Sequence, residues 1–76
     1  MKYEVYYNDD LGGRTLAQTD TEFVAWIHYY KACRETLEAM SEEERRERSA
    51  KGECITLNEN DLEGNAEPKI LARTNI

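Results

Sequence analysis

The chain has 76 residues, enough for one small domain with a modest core, and carries sixteen acidic against ten basic residues, for a formal charge of −6. This excess of negative charge argues against direct binding to a nucleic-acid backbone, which needs clustered Lys and Arg. No apolar run approaches the length of a membrane span, and residues 1–5 lack the apolar core of a signal peptide. We therefore expect a cytoplasmic protein in which the two cysteines, Cys33 and Cys54, stay reduced.

The first eighteen residues predict a β-hairpin. Residues 2–8 alternate in polarity and place Tyr3, Val5 and Tyr7 on one side, as in a strand with one inward face. Residues 9–13 end in two glycines, which tolerate positive φ and are typical of a turn. Residues 14–18 then form the returning strand.

A long amphipathic helix follows. Thr19 and Glu22 have the spacing of a capping box, which predicts that the helix begins there and runs for about twenty residues. Its large apolar residues recur at helical spacing and form one broad stripe, which we expect to pack on the sheet. The stripe consists of Phe23, Trp26, Ile27, Tyr30, Cys33, Leu37 and Met40.

The second half of the chain predicts a polar helix and a second hairpin. Ser41 and Glu44 repeat the capping-box spacing, and a solvent-exposed helix over residues 42–51 is expected to end at Gly52. Residues 54–58 and 69–73 have strand patterns on either side of a polar turn region, residues 59–65. The predicted fold class is α+β for a single domain, residues 1–76. Its order is ββα(α)ββ, a mostly antiparallel four-stranded sheet with one long amphipathic helix packed on one face.

The sequence shows no constellation of residues that predicts catalysis, a cofactor or a metal. His28 is the only histidine and has no nucleophile or second ligand beside it. Glu59, Asp61 and Glu63 alternate as in a calcium loop, but the twelfth position is Ile70, where a glutamate is required. We expect a protein that is not an enzyme and has no cofactor.

Acidic residues at the two predicted turns form the first candidate binding surface. They are Asp9 and Asp10 at one turn, and Glu59, Asp61, Glu63 and Glu67 at the other. If the two hairpins are neighbours in the sheet, their turns could project from one end and pool their charge against a basic partner. The alternative is that both turns are ordinary solubilising loops.

Tyrosines form the second candidate surface. Tyr6 should point away from the helix on the back of the sheet, and Tyr29 should lie at the margin of the apolar stripe. Exposed tyrosine is a good interface anchor because a rigid ring ends in a polar hydroxyl. The alternative is that both rings pack at the rim of a small core.

In size, acidity and lack of a catalytic signature, the chain resembles the small inhibitors made by phages and mobile elements, such as anti-CRISPR proteins. The resemblance covers composition and not particular residues. The leading hypothesis is a non-enzymatic protein-binding module, most concretely an inhibitor whose acidic loops and exposed tyrosines cover a basic, nucleic-acid-binding surface of a larger partner, without direct contact to nucleic acid or membrane. The alternative is a self-associating structural or regulatory domain without a ligand, because a 76-residue core with open sheet edges benefits from a homodimer.

Overall fold

Four antiparallel strands and two helices make up the fold, in the computed structural model that describes residues 1–64 and 66–76. In chain order the elements are β1 (Tyr3–Asn8), β2 (Arg14–Thr19), α1 (Glu22–Ala39), α2 (Glu42–Ala50), β3 (Cys54–Glu59) and β4 (Lys69–Asn75). The predicted α+β class and ββα(α)ββ order are confirmed, and each strand lies within two residues of its predicted bounds. Asn65, at the end of the predicted turn region, lies outside the described residues.

The strands form one sheet in the order β2-β1-β3-β4. Side chains alternate along β1, and Val5 and Tyr7 are only 1% exposed on the face that α1 covers. The register places Val5 opposite Leu57 and Tyr7 opposite Ile55, both of which are fully buried on β3. The core therefore lies over the two central strands, and the predicted inward face of β1 is confirmed.

Helix α1 lies across β1, β2 and β3 and buries a narrow face. Its buried residues are Ala25, Tyr29 and Cys33, spaced four apart so that they stack on one side of the helix. The small side chains of Ala25 and Cys33 allow the helix backbone to approach the sheet, and between them the Tyr29 ring reaches β4, where its hydroxyl hydrogen-bonds the hydroxyl of Thr74.

The predicted packing of the apolar stripe on the sheet is therefore confirmed for only some of its residues. Cys33 is buried, and Trp26, Leu37 and Met40 are partly buried against the core. The remaining members, Phe23, Ile27 and Tyr30, are 75%, 51% and 66% exposed. The helix is therefore rotated away from the predicted orientation, so that Ala25, Tyr29 and Cys33 face the sheet.

The capping box predicted at the start of α1 is wrong. Thr19 is the last residue of β2, where it pairs with Tyr3, and the N-cap position belongs to Thr21. The Thr19 hydroxyl instead accepts a hydrogen bond from the Thr21 backbone N–H at 3.2 Å. Pairing with β1 thus extends β2 to Thr19, a residue that the sequence pattern assigned to the start of the helix.

The caps predicted for α2 are confirmed. The Ser41 hydroxyl accepts a hydrogen bond from the Glu44 backbone N–H at 3.1 Å. At the other end Gly52 adopts a φ of +76°, and the Glu53 backbone N–H donates to the Arg48 carbonyl at 3.1 Å, which closes a Schellman motif.

A polar cluster attaches α2 to the sheet. The Tyr7 hydroxyl donates to the Glu53 carboxylate, and the Arg48 guanidinium donates to both groups at 3.2 Å. Glu53 is 5% exposed, and Arg48 is the half-buried member of an otherwise exposed helix. A buried carboxylate is stable only when it is hydrogen-bonded or paired, so Glu53 requires Tyr7 and Arg48 as partners. These contacts hold α2 to the sheet, although the helix buries no apolar residue.

Candidate partner-binding site

The two hairpin connections lie at opposite ends of the sheet. β1 and β3 are antiparallel neighbours, with Asn8 at the end of β1 opposite Cys54 at the start of β3. The β1–β2 turn therefore leaves one end, and the β3–β4 connection leaves the other, separated by strands of about 20 Å. The predicted pooling of charge is wrong, because Asp9 and Asp10 cannot share a surface with the acidic residues of the second connection.

Asp9 has a local role in its own turn. Its side-chain oxygen accepts a hydrogen bond from the Leu11 backbone N–H at 2.8 Å, and its carbonyl accepts one from the Gly12 N–H at 3.2 Å. These are the contacts of an Asx turn. Asp10 is exposed beside it.

The four remaining acidic candidates line one cleft. This cleft, of about 460 Å³, lies beside the β3–β4 connection, and its charged lining residues are Glu59, Asp61, Glu63, Glu67, Lys2 and Lys69. Leu62 also lines it and is 69% exposed. The fold thus places four carboxylates around an exposed apolar side chain.

Two further carboxylates lie at the same end of the sheet. The backbone N–H of Lys2 donates to the Asp20 carboxylate at 3.0 Å, and the backbone N–H of Asn60 donates to the Lys2 carbonyl at 2.7 Å. Lys2 therefore connects the β2–α1 connection to the β3–β4 connection, and Glu22 follows in the first turn of α1. We call the six carboxylates Glu59, Asp61, Glu63, Glu67, Asp20 and Glu22 the acidic end.

The acidic end keeps a surplus of negative charge. The described side chains at this end include the six carboxylates and two ammonium groups, those of Lys2 and Lys69. The Lys2 ammonium is 3.9 Å from a Glu59 carboxylate oxygen, in a pair exposed enough to contribute at most about 1 kcal/mol. Asp61 also shapes the loop, because its carboxylate accepts the Glu63 backbone N–H at 3.0 Å.

Tyr6 lies on the back of the sheet, as predicted, but is only half-exposed. Its hydroxyl donates to the Gly12 carbonyl at 2.7 Å, which ties the ring to the β1–β2 turn. This turn is the one remote from the acidic end. Tyr6 and the acidic end therefore do not form one continuous site.

The prediction of Tyr29 as an exposed anchor is wrong. Its side chain is 4% exposed, in the centre of the helix–sheet interface, and burial raises the pKa of its hydroxyl above the ordinary value. The neighbouring Tyr30 takes the exposed position instead. A helical turn of 100° per residue makes adjacent tyrosines lie on different faces, and the sequence alone does not say which of the two is inward.

A second exposed surface runs along α1, and sequence reasoning assigned it to the core. Phe23, Ile27 and Tyr30 are all more than half exposed, and their spacing of four and then three continues to the exposed Arg34. We call these four residues the outer seam. Apolar residues at helical spacing predict burial, but the pattern is the same whether the covering surface belongs to the chain or to a partner.

The remaining chemistry-bearing side chains are dispersed. His28 lines a shallow cleft between α1 and β2, while Cys33 and Cys54 are buried free thiols. Among the described residues, no three His, Cys, Asp or Glu side chains are placed to hold a metal ion.

No protein-family model, curated protein or solved structure matches this chain. Within the described residues, no helix has the length and apolar character needed to cross a membrane.

Proposed function

We propose that this protein is a non-enzymatic protein-binding module, an inhibitor of the phage or mobile-element type that resembles anti-CRISPR proteins. It binds through the acidic end to a basic, nucleic-acid-binding surface of a larger partner. The observation that carries the proposal is the cleft in which Glu59, Asp61, Glu63 and Glu67 surround the exposed Leu62.

The charges of this cleft suit a surface that binds phosphates. Such a surface presents Lys and Arg at intervals that match a nucleic-acid backbone. Carboxylates on a loop can occupy the same positions, which attracts the partner over a distance and competes with nucleic acid. Leu62 adds an apolar contact at the centre, where buried side chains contribute most to affinity.

Hydrogen bonds position the first part of this loop, residues 59–64. Glu59 belongs to β3, and the following residue, Asn60, is held by the hydrogen bond from its backbone N–H to the Lys2 carbonyl. Asp61 closes the next turn through two contacts, its carboxylate with the Glu63 N–H and its carbonyl with the Gly64 N–H at 3.0 Å. A loop that is ordered before binding loses less conformational entropy in the complex.

A matched pair of charge-reversal variants tests the proposal. Glu63→Lys/Glu67→Lys changes two carboxylates of the acidic end, whereas Asp10→Lys/Glu47→Lys changes two exposed carboxylates elsewhere. Each pair raises the formal charge of −6 by the same four units, so a difference between them reports position rather than bulk charge. Asp61 is left unchanged because its carboxylate supports the loop.

The tagged proteins are used to capture a partner from a lysate of the native host at about 50 mM and 500 mM salt. The captured protein is then purified and mixed with a fluorescent oligonucleotide. We expect the wild type to displace the oligonucleotide, and the acidic-end pair to bind at least about tenfold more weakly at low salt. The control pair should bind like the wild type. Equal weakening by both pairs, or a captured protein whose oligonucleotide binding is unaffected, would contradict the proposal.

A further inference from the structure

The outer seam has the spacing of a helix that packs against another helix. Phe23, Ile27, Tyr30 and Arg34 are separated by four, three and four residues, the repeat of a coiled-coil seam. This face points away from the sheet, since the buried residues of α1 are Ala25, Tyr29 and Cys33. At 100° per residue the outer seam lies roughly 130° around the helix from the buried face, and the Tyr30 ring adjoins the core through its contacts with Tyr29 and Trp26.

The exposed apolar surface of the seam is large for a 76-residue chain. With exposed fractions of 75%, 51% and 66%, Phe23, Ile27 and Tyr30 present roughly 400 Å² of side chain, given about 150–250 Å² for a whole aromatic residue. That value falls within the range of the largest apolar patch on a typical monomer, which is often functional. A shallow groove lined by Ile27, Tyr30, Lys31 and Arg34 runs along the same face.

The seam is complementary to itself in one orientation. When two copies of α1 run antiparallel about a two-fold axis, Ile27 of one copy meets Tyr30 of the other, and Phe23 meets Arg34. The Arg34 guanidinium then lies on an aromatic face at both ends of the contact, which is a favourable cation–π arrangement. A parallel arrangement would instead place the two Arg34 side chains against each other.

The antiparallel orientation also suits the charge of the chain. Glu22 and the rest of the acidic end lie at the N-terminal end of α1. In this register Glu22 of one copy is level with residue 35 of the other, so the two N-terminal ends lie about 20 Å apart along the helix axis, beyond the Debye length of about 8–10 Å at physiological salt. The repulsion between two chains of charge −6 is therefore small in this arrangement.

We propose that the outer seam is a homodimer interface, in which a second copy of this chain packs its α1 antiparallel to the first. The seam buries roughly half of the 800 Å² per partner of a standard interface, so we expect a weak dimer whose population depends on protein concentration. In the dimer the two acidic ends face outward in opposite directions. The inference does not depend on what the acidic end binds.

Sedimentation velocity of the wild type from about 1 to 500 μM tests the proposal without any substitution. We expect the weight-average mass to rise from monomer to dimer over this range, with a parallel rise of the melting temperature. A monomer at every concentration would overturn the inference.

A reciprocal exchange tests the orientation. Phe23→Arg opposes two guanidinium groups and should weaken the dimer at least about tenfold, whereas Phe23→Arg/Arg34→Phe restores the aromatic–guanidinium contact and should restore the dimer. Leu11→Arg makes the same apolar-to-cationic change at a residue that is 94% exposed and lies outside both surfaces, and should leave the dimer unchanged. A dimer that is insensitive to Phe23→Arg, that is not restored by the exchange, or that is lost in Leu11→Arg would show that a different surface is used.

Discussion

Tyr29 and Tyr30 are adjacent and chemically identical, but the fold predicts very different results when each is replaced by alanine. Tyr29 is 4% exposed and Tyr30 is 66% exposed. Burial of about 150–250 Å² at 25 cal/mol per Å² corresponds to about 4–6 kcal/mol, and measured losses for buried aromatic-to-alanine changes are about 3–5 kcal/mol. Tyr30→Ala should cost less than about 1 kcal/mol, because little buried surface is lost and alanine favours a helix.

Urea unfolding followed by far-ultraviolet circular dichroism measures both changes. The protein should be kept near 1 μM, so that dissociation of a dimer does not contribute to the free energy of unfolding. A chain of 76 residues has a total stability of roughly 4–11 kcal/mol, and in the lower part of this range Tyr29→Ala leaves too little folded protein to measure.

Tyr29→Phe supplies the graded variant for that case. It removes only the hydroxyl that contacts Thr74 and should cost about 1–2 kcal/mol, with Tyr30→Phe as its matched control. Equal losses at the two positions, or a larger loss at Tyr30, would mean that α1 is rotated toward the stripe expected from hydrophobicity. The burial of Tyr29 and the exposure of Tyr30 described above would then be wrong.

The remaining predictions concern the β1–β2 turn and alkaline pH. Gly13→Ala should cost at least about 3 kcal/mol, because a Cβ would lie 1.9 Å from the Tyr7 carbonyl oxygen at a φ of +95°. Gly12→Ala, at a φ of +106° but with nothing within 4 Å, should cost only about 1 kcal/mol, and equal urea midpoints for the two variants would contradict the turn geometry. Burial raises the pKa of Tyr7 and of Tyr29 above the ordinary value of about 10, so their contribution to stability is fully present below pH 10 and is lost as the pH rises through the folded-state pKa. Urea unfolding at pH 8 to 11.5 should show this loss, and Tyr29→Phe should make it smaller; an identical pH profile for variant and wild type would refute the assignment.

The sequence predicted the helices and strands of this fold because each pattern depends on residues that are close together in the chain. The alternation of Tyr3, Val5 and Tyr7 predicts a half-buried strand from the geometry of the strand itself. Ser41 caps α2 because its contact with Glu44 lies within four residues of chain. At Thr19 the same capping signal failed, because pairing with Tyr3 on the neighbouring strand competes for that residue and is invisible to a local motif.

The sequence predicted only part of the candidate site, because the rest of it is brought together by strand order. Glu59, Asp61, Glu63 and Glu67 are close in sequence, so their proximity follows from any compact connection. The contribution of Asp20 and Glu22, and the separation of Asp9 and Asp10, depend on strand order. Once β1 is known to lie between β2 and β3, antiparallel pairing determines which connections share an end. Hydrophobic periodicity likewise predicted that Tyr30 is buried, without indicating that the fold leaves it 66% exposed.

The two proposed surfaces should respond differently to salt, which allows each to be tested in the presence of the other. Binding at the acidic end depends on attraction between exposed charges, so its affinity should fall as ionic strength rises from about 50 to 500 mM and the Debye length shortens from roughly 14 to 4 Å. The seam is held by apolar contact between two chains that each carry a formal charge of −6, so screening removes repulsion and should leave the dimer unchanged or tighter. Capture of a partner that weakens with salt while the dimer persists would assign the two activities to separate surfaces. If both weaken together, self-association depends on the charges of the acidic end, and the outer seam is not the interface.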